Sequence, residues 1–318
     1  MIGVDLPDHA SRYVSAGNGI QLFTERFGDP SDPAVVIVLG AGNSRLFAYD
    51  GFCASLASHG YSVLRYDHRD TGRSSTVDFA QSPYTLDDLA RDAAAVCAAA
   101  EQPAVHLVGC SFGGGISQLV AIDHPELVRS LTLISSTPDP RPYVRAVMGR
   151  PFDGALPAPD PAFLRFLAGR RAAGPPADPA VALDERVEDW KIVFGSATGA
   201  DPEQMRGILR QEAIETPDPS LRAHHLMALD RAEDRAPRLR DIDCPALVLH
   251  GPHDVCLPLP HGEILAAMIP GARLELIQGM GHLFPPAWSA EMAHRVAAHL
   301  RTIGPPKRAA PIRKVESR

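Results

Sequence analysis

Gly109-Cys110-Ser111-Phe112-Gly113 sets a serine between two glycines at G-x-S-x-G spacing. The run before it, Val105–Val108, is β-type, and Ile116–Ile122 after it lies in a helical stretch. A serine on such a strand-to-helix turn projects its hydroxyl at the helix N-terminus. Side chains at 109 and 113 would collide with the neighbouring strand and helix. The chemistry expected is attack on an acyl carbon, with the Phe112 N–H pointing where an oxyanion would form. Such a serine needs a base. His282, in Gly279-Met280-Gly281-His282, follows the β-type run Arg273–Ile277, and imidazole titrates near neutrality. The base needs an orienting carboxylate, and Asp254 follows the run Ala246–His250. Asp139, shortly after Leu131–Ile134, is the alternative acid. The second oxyanion donor is expected from Leu39-Gly40-Ala41-Gly42-Asn43, with Ala41 first and Gly42 next. That loop begins G-x-G, but Arg45 stands where a dinucleotide fingerprint needs glycine. No cofactor is expected. No H-x-x-x-H pair or carboxylate cluster suggests a metal; His253 has no obvious partner, and His224-His225 reads as surface or pocket lining.

These residues need a scaffold that gathers them. Gly19–Phe27 alternates apolar and polar residues, as a half-buried strand does. Ala34–Leu39 is a continuous apolar run suited to a strand buried on both faces. Helical stretches at Phe47–His59 and Leu86–Ala100 flank the strand Tyr61–Tyr66. The alternation predicts a parallel sheet covered by helices on both faces. It resumes late, with Glu263–Met268 and Ala290–Leu300 as helices. In between, Pro138–Pro179 is dense in proline, and helical segments follow near Asp184–Phe194, Pro202–Glu215 and Ser220–Asp230. The expected organisation is a core of 1–136 and 241–302, a helical cap inserted at 137–240, and a disordered tail at 303–318.

The chain has 318 residues, 45% hydrophobic and 22% charged, which excludes a coiled coil, a collagen-like chain and a wholly disordered one. A net charge of −7 argues against nucleic acid or an anionic membrane as partner. Cys53, Cys97, Cys110, Cys244 and Cys256 form no C-x-x-C and read as reduced thiols of a cytoplasmic protein. Met1–Ala10 has no apolar leader core, and no apolar run approaches the roughly 20 residues that span a bilayer.

The order Ser111, Asp254, His282 and the element pattern over about residues 12–302 resemble the α/β-hydrolases. Asp67-His68-Arg69-Asp70-Thr71-Gly72-Arg73-Ser74 resembles the D-x-R-G-x-G-x-S stretch of their cap-bearing members, with Asp70 where glycine is usual. Its charged residues are expected to pin the loop beside the serine. With Phe27-Gly28-Asp29-Pro30 and Val187–Gly195, the chain is similar to the aclacinomycin methylesterase subgroup. The resemblance implies an eight-stranded, mostly parallel sheet and cleavage of a carboxylic ester, with a polyketide-type methyl ester as candidate substrate. A thioesterase, lactonase, iminopeptidase, non-hydrolytic enzyme or small-molecule binder on the same scaffold stays open. Gly42, Trp190, Phe194 and Met280 are the candidate pocket residues. Trp190 and Phe194, at i, i+4, suit either a flat ligand or cap-to-core packing.

Overall fold

The computed structural model of the chain describes residues 10–216 and 218–304. Residues 1–9 of the stretch with no expected leader core, and residues 305–318 of the expected disordered tail, lie outside the described residues. The chain opens with β1 (Ala10–Ser15), β2 (Gln21–Phe27) and β3 (Ala34–Val38). Next come α1 (Asp50–Ser58), β4 (Ser62–Tyr66), α2 (Leu86–Ala98), β5 (Val105–Cys110), α3 (Phe112–Asp123) and β6 (Val128–Ile134). Five helices follow: α4 (Arg141–Val147), α5 (Pro161–Ala173), α6 (Pro179–Phe194), α7 (Pro202–Glu215) and α8 (Ala223–Asp230). The chain then returns through β7 (Ala246–His250), α9 (Pro260–Met268), β8 (Arg273–Leu276) and α10 (Ser289–Arg301).

One eight-stranded sheet has the order β1-β2-β4-β3-β5-β6-β7-β8. β1 and β2 pair antiparallel, as do β2 and β4, and every later pairing is parallel. Every residue of β3, β4, β5 and β7 is buried, which is why these strands lack polar alternation. The side-chain period of two still divides them between two cores. Val36, Val38 and Leu107 face Leu89 of α2 and Ile116 of α3. Val35, Ile37 and Val108 face Phe52 of α1 and Val296 of α10. At about 1.5–3 kcal/mol per buried aliphatic or aromatic side chain, these two layers are the main force packing the helices onto the sheet.

Three elements were not expected from the sequence. β1 is an edge strand with only Val14 buried, so it carries no hydrophobic period. Its turn has Gly17, Asn18 and Gly19 all at positive φ, a hairpin signal that the composition did carry. α4 and α5 lie within the proline-dense segment. Pro161 sits in the first turn of α5, where its missing N–H costs nothing, and Asp160 caps the Ala162 and Phe163 N–H groups at 2.7 and 3.3 Å. Proline there marks helix starts rather than loop.

Candidate active site

Ser111 joins β5 to α3 at φ 54°, ψ −118°, a conformation sparsely populated by residues with a Cβ. The crowding around it explains the glycines. A Cβ on Gly113 would sit 2.1 Å from the Val38 carbonyl oxygen, and one on Gly109 would sit 2.6 Å from the Gly114 Cα. The turn is fixed by the Ser111 N–H donating to Ile134 O at 2.8 Å and by Ser136 Oγ donating to Ser111 O at 3.0 Å.

The three residues expected to act together meet at the C-terminal edge of the sheet. Ser111 Oγ lies 2.8 Å from His282 Nε2, and His282 Nδ1 lies 2.8 Å from Asp254 Oδ2. The other oxygen, Asp254 Oδ1, accepts the Cys256 and Leu257 N–H groups, both at 2.8 Å. Those two donors fix the carboxylate plane, so Oδ2 is left for the imidazole. His282 therefore donates from Nδ1–H and presents a bare Nε2 to the serine hydroxyl. His250 is fully buried beside them and donates from Nε2 to Leu257 O at 2.8 Å; burial lowers its pKa. Asp139 is not the acid: both its oxygens are taken by the Arg141 guanidinium at 2.7–2.9 Å. Asp254, Cys256 and His282 bring three metal-capable atoms within 4.8 Å of one another. The carboxylate and imidazole there are already committed to each other, and burial holds the Cys256 thiol well above its usual pKa.

The loop after β3 faces the serine. An ideal Cβ on Gly40 would lie 3.6 Å from Ser111 Cβ. The Gly42 N–H donates to His225 Nδ1 at 2.9 Å, which removes it from the oxyanion site. The Ala41 N–H donates to no protein group among the described residues. Phe112 is the first residue of α3, so its N–H has no intrahelical acceptor. His225, from α8, donates from Nε2 to Arg69 O at 2.9 Å and stacks on Phe112 at 5.4 Å between centroids. Burial pushes its pKa down to about 3, so the ring is neutral and holds one tautomer. It clamps α8 to the loop after β3 and to the Asp67–Ser74 stretch, a role its sequence neighbourhood did not disclose.

The charged stretch Asp67–Ser74 does pin this loop. His68 donates from Nε2 to Leu39 O at 3.1 Å. Asp67, wholly buried, accepts the Arg45 and Arg73 N–H groups at 2.7 and 2.9 Å. Asp70, where the family pattern has glycine, keeps the left-handed backbone at φ 67°. Its carboxylate receives the Tyr84 hydroxyl at 2.8 Å and the Val77 N–H at 2.7 Å, and lies 2.9 Å from His224 Nδ1.

A cavity of about 580 Å³ opens above Ser111. Of the four candidate pocket residues Gly42 and Trp190 line it, together with Ala41, Phe112 and His282. Phe194 and Met280, the other two, do not line it. Phe194 is 2% exposed and Met280 fully buried in the core layer under α10. The cause is the end of α6: Phe194 O accepts the Gly281 N–H at 3.0 Å, and Gly195 pairs with Met280. This staples the helix to the histidine loop and turns both side chains inward. Trp190 lies against Phe47, ring centroids 4.6 Å apart and nearly parallel, so it packs on the core as well as lining the cavity. Missed altogether were Phe163, Phe166 and Leu167 of α5, which form part of the apolar wall. The Asp160-Pro161 cap was their available signal.

A family model described as the alpha/beta hydrolase fold matches residues 33–285. Rhodomycin D methylesterase DauP of Streptomyces sp. (strain C5) is 36% identical over 289 residues, 89% of this chain and 95% of the relative. Rhodomycin D methylesterase DnrP of Streptomyces peucetius is 35% identical over 288 residues, again 89% and 95%. The solved structure of an esterase from Exiguobacterium antarcticum matches with a TM-score of 0.68 at 20% identity, over 92% of this chain and 98% of that one. That last likeness speaks to the fold alone.

Proposed function

The chain belongs to the alpha/beta-hydrolase family, and from that premise we propose that it hydrolyses a carboxylic ester through an acyl-enzyme on Ser111. The observation that carries the reading is the unbroken chain Ser111–His282–Asp254, 2.8 Å at each link, at the floor of the cavity.

Ser111 Oγ attacks the ester carbonyl as its proton passes to His282 Nε2. Asp254 holds the Nδ1–H and stabilises the imidazolium. The Phe112 and Ala41 N–H groups receive the oxyanion, each placed before the charge develops. The intermediate collapses, His282 returns the proton to the departing alcohol, and the acyl group stays on Ser111. Water, deprotonated by His282, attacks the acyl carbon and releases the acid. The helices of 137–240 act as a cap that covers the site and excludes bulk water.

The substrate is proposed to be a methyl ester of a polyketide-type small molecule. Both Streptomyces relatives are named as methylesterases of rhodomycin D. The cavity volume and its wall of Trp190, Phe163 and Phe166 suit a flat, drug-sized body. No helix among the described residues is long and apolar enough to cross a membrane. The five buried free thiols support a reducing compartment, the cytoplasm.

Intact-mass spectrometry after a fluorophosphonate tests the nucleophile. One adduct on the wild type and none on Ser111→Ala is expected, with methanol release from polyketide methyl esters lost by roughly 10⁴-fold or more in the variant. Equal labelling of both proteins would refute it.

A further inference from the structure

Four arginines line the cavity, and three of them face carboxylates. Arg170 reaches Glu185 and Asp189 at 2.6 Å each; Arg186 and Arg222 reach Glu212 at 2.5 and 2.8 Å. Arg235 differs. It is 5% exposed and makes no ion pair among the described residues. Its Nε donates to Gln118 Oε1 at 3.0 Å and its Nη2 to Thr137 O at 3.2 Å, while Nη1 is buried without an acceptor. Asp139, Asp234 and Asp87 favour its charge through space without pairing with it, and the first two are bridged by Arg141.

The guanidinium lies at the cavity wall. Its Nη2 bonds to Thr137, and a Cβ on Gly115 would sit 2.7 Å from the same nitrogen; both residues line the cavity. Gly115 is one turn of α3 beyond Ser111, so the cation flanks the reacting centre without touching it. Burial lowers the Arg235 pKa to about 10, which leaves it charged at neutral pH. A buried guanidinium with only neutral acceptors is costly, and a ligand that supplies negative charge relieves that cost.

Building on the ester-hydrolase reading, we propose that Arg235 is an anion subsite, and that the substrate carries, besides its ester, an acidic oxygen on an aromatic body. A carboxylate and an ionised enol share this chemistry. Neither is cleaved; the subsite orients the ring system so that the ester lies over Ser111.

Calorimetric titration of the unmodified enzyme with three flat probes tests this without turnover. The probes are naphthoate, hydroxynaphthoquinone as its enolate, and neutral naphthamide. The proposal expects at least one anion to bind about tenfold or more tighter than the amide, as a charged hydrogen bond would give. Preference for naphthoate assigns a carboxylate source, and preference for the enolate assigns the other. In Arg235→Met the advantage disappears, and in Arg235→Lys part of it returns. No anion preference in the wild type, or one unchanged in Arg235→Met, overturns the subsite. The wild-type comparison stands even if a variant fails to fold. Because binding is read directly, failure of the ester-hydrolase reading shows separately as absent fluorophosphonate labelling at Ser111.

Discussion

At the scale of single residues, Asp254 has two oxygens with unlike duties. Oδ1 must accept two backbone N–H groups, so Asn in its place would keep its carbonyl oxygen there. The amide NH₂ would then face His282 Nδ1 and force the proton onto Nε2, where it blocks the serine. Asp254→Asn is expected to lower kcat about 10⁴-fold at neutral pH, with a melting temperature within a few degrees of wild type. Loss of less than tenfold would mean that Asp254 does not set the tautomer. Gly113→Ala tests the elbow differently. Its Cβ would meet the Val38 carbonyl, backbone that cannot swing aside. A melting temperature lower by several degrees, with fluorophosphonate labelling reduced, is expected, at a cost of about 2 kcal/mol or more. These residues were legible in the sequence because G-x-S-x-G is a local constraint, and because His282 and Asp254 each follow a recognisable strand. The sequence ranked Ala41 ahead of Gly42 as second oxyanion donor from the small residues of the loop. The Gly42 N–H bond to His225, 183 residues away in sequence, supports that ranking for a reason the loop did not carry.

At the scale of elements, α8 governs the site through that one imidazole. His225 accepts from Gly42 and donates to Arg69, tying the oxyanion loop to the Asp67–Ser74 loop. His225→Ala should free the loop, and kcat is expected to fall about 10- to 100-fold while KM changes little, since a misplaced donor acts mainly on the transition state. His225→Gln, with an acceptor and a donor of its own, should restore part of the rate. A KM effect alone, with no rescue by Gln, would assign His225 to packing. The central strands and most helices were legible because burial on both faces leaves long apolar runs. β1 and α5 were not, for opposite reasons. β1 lies at the sheet edge, where solvent tolerates any side chain. α5 begins within a proline-rich stretch whose prolines suggest loop until one is seen at a capped helix start. Phe194 was misplaced because sequence spacing gives a helix face but not which neighbour that face meets, and Met280 because its loop pairs with Gly195, far away in sequence.

Across the whole molecule, buried histidines make stability depend on pH. His68 and His225 lie beside the oxyanion loop and His106 lies far from it on β5; all three are buried. Burial pushes their pKa values down to about 4, 3 and 3 respectively. Neighbouring cations add to the effect, Arg69 at His68 and Arg129 at His106, while Asp70 opposes it at His225. In the unfolded chain each would titrate near 6.5. Above that value both states are neutral and the contribution to stability is complete. As pH falls below 6.5 the unfolded state takes up protons that the folded state refuses, so stability declines until the folded values are reached. By about pH 5 each histidine costs about 1–2 kcal/mol, and three together remove a large share of the roughly 5–15 kcal/mol that holds a typical domain. The urea midpoint is therefore expected to drop by about 1 M or more between roughly pH 7.5 and pH 5. His106→Gln separates this from any effect on catalysis, because the residue hydrogen-bonds Ser130 Oγ at 2.7 Å and touches no part of the site. The variant should lose stability near neutral pH yet show a shallower decline toward acid, having one proton fewer to refuse. A midpoint that stays level from neutral to pH 5, or a decline as steep in His106→Gln as in the wild type, would remove the histidines as its cause.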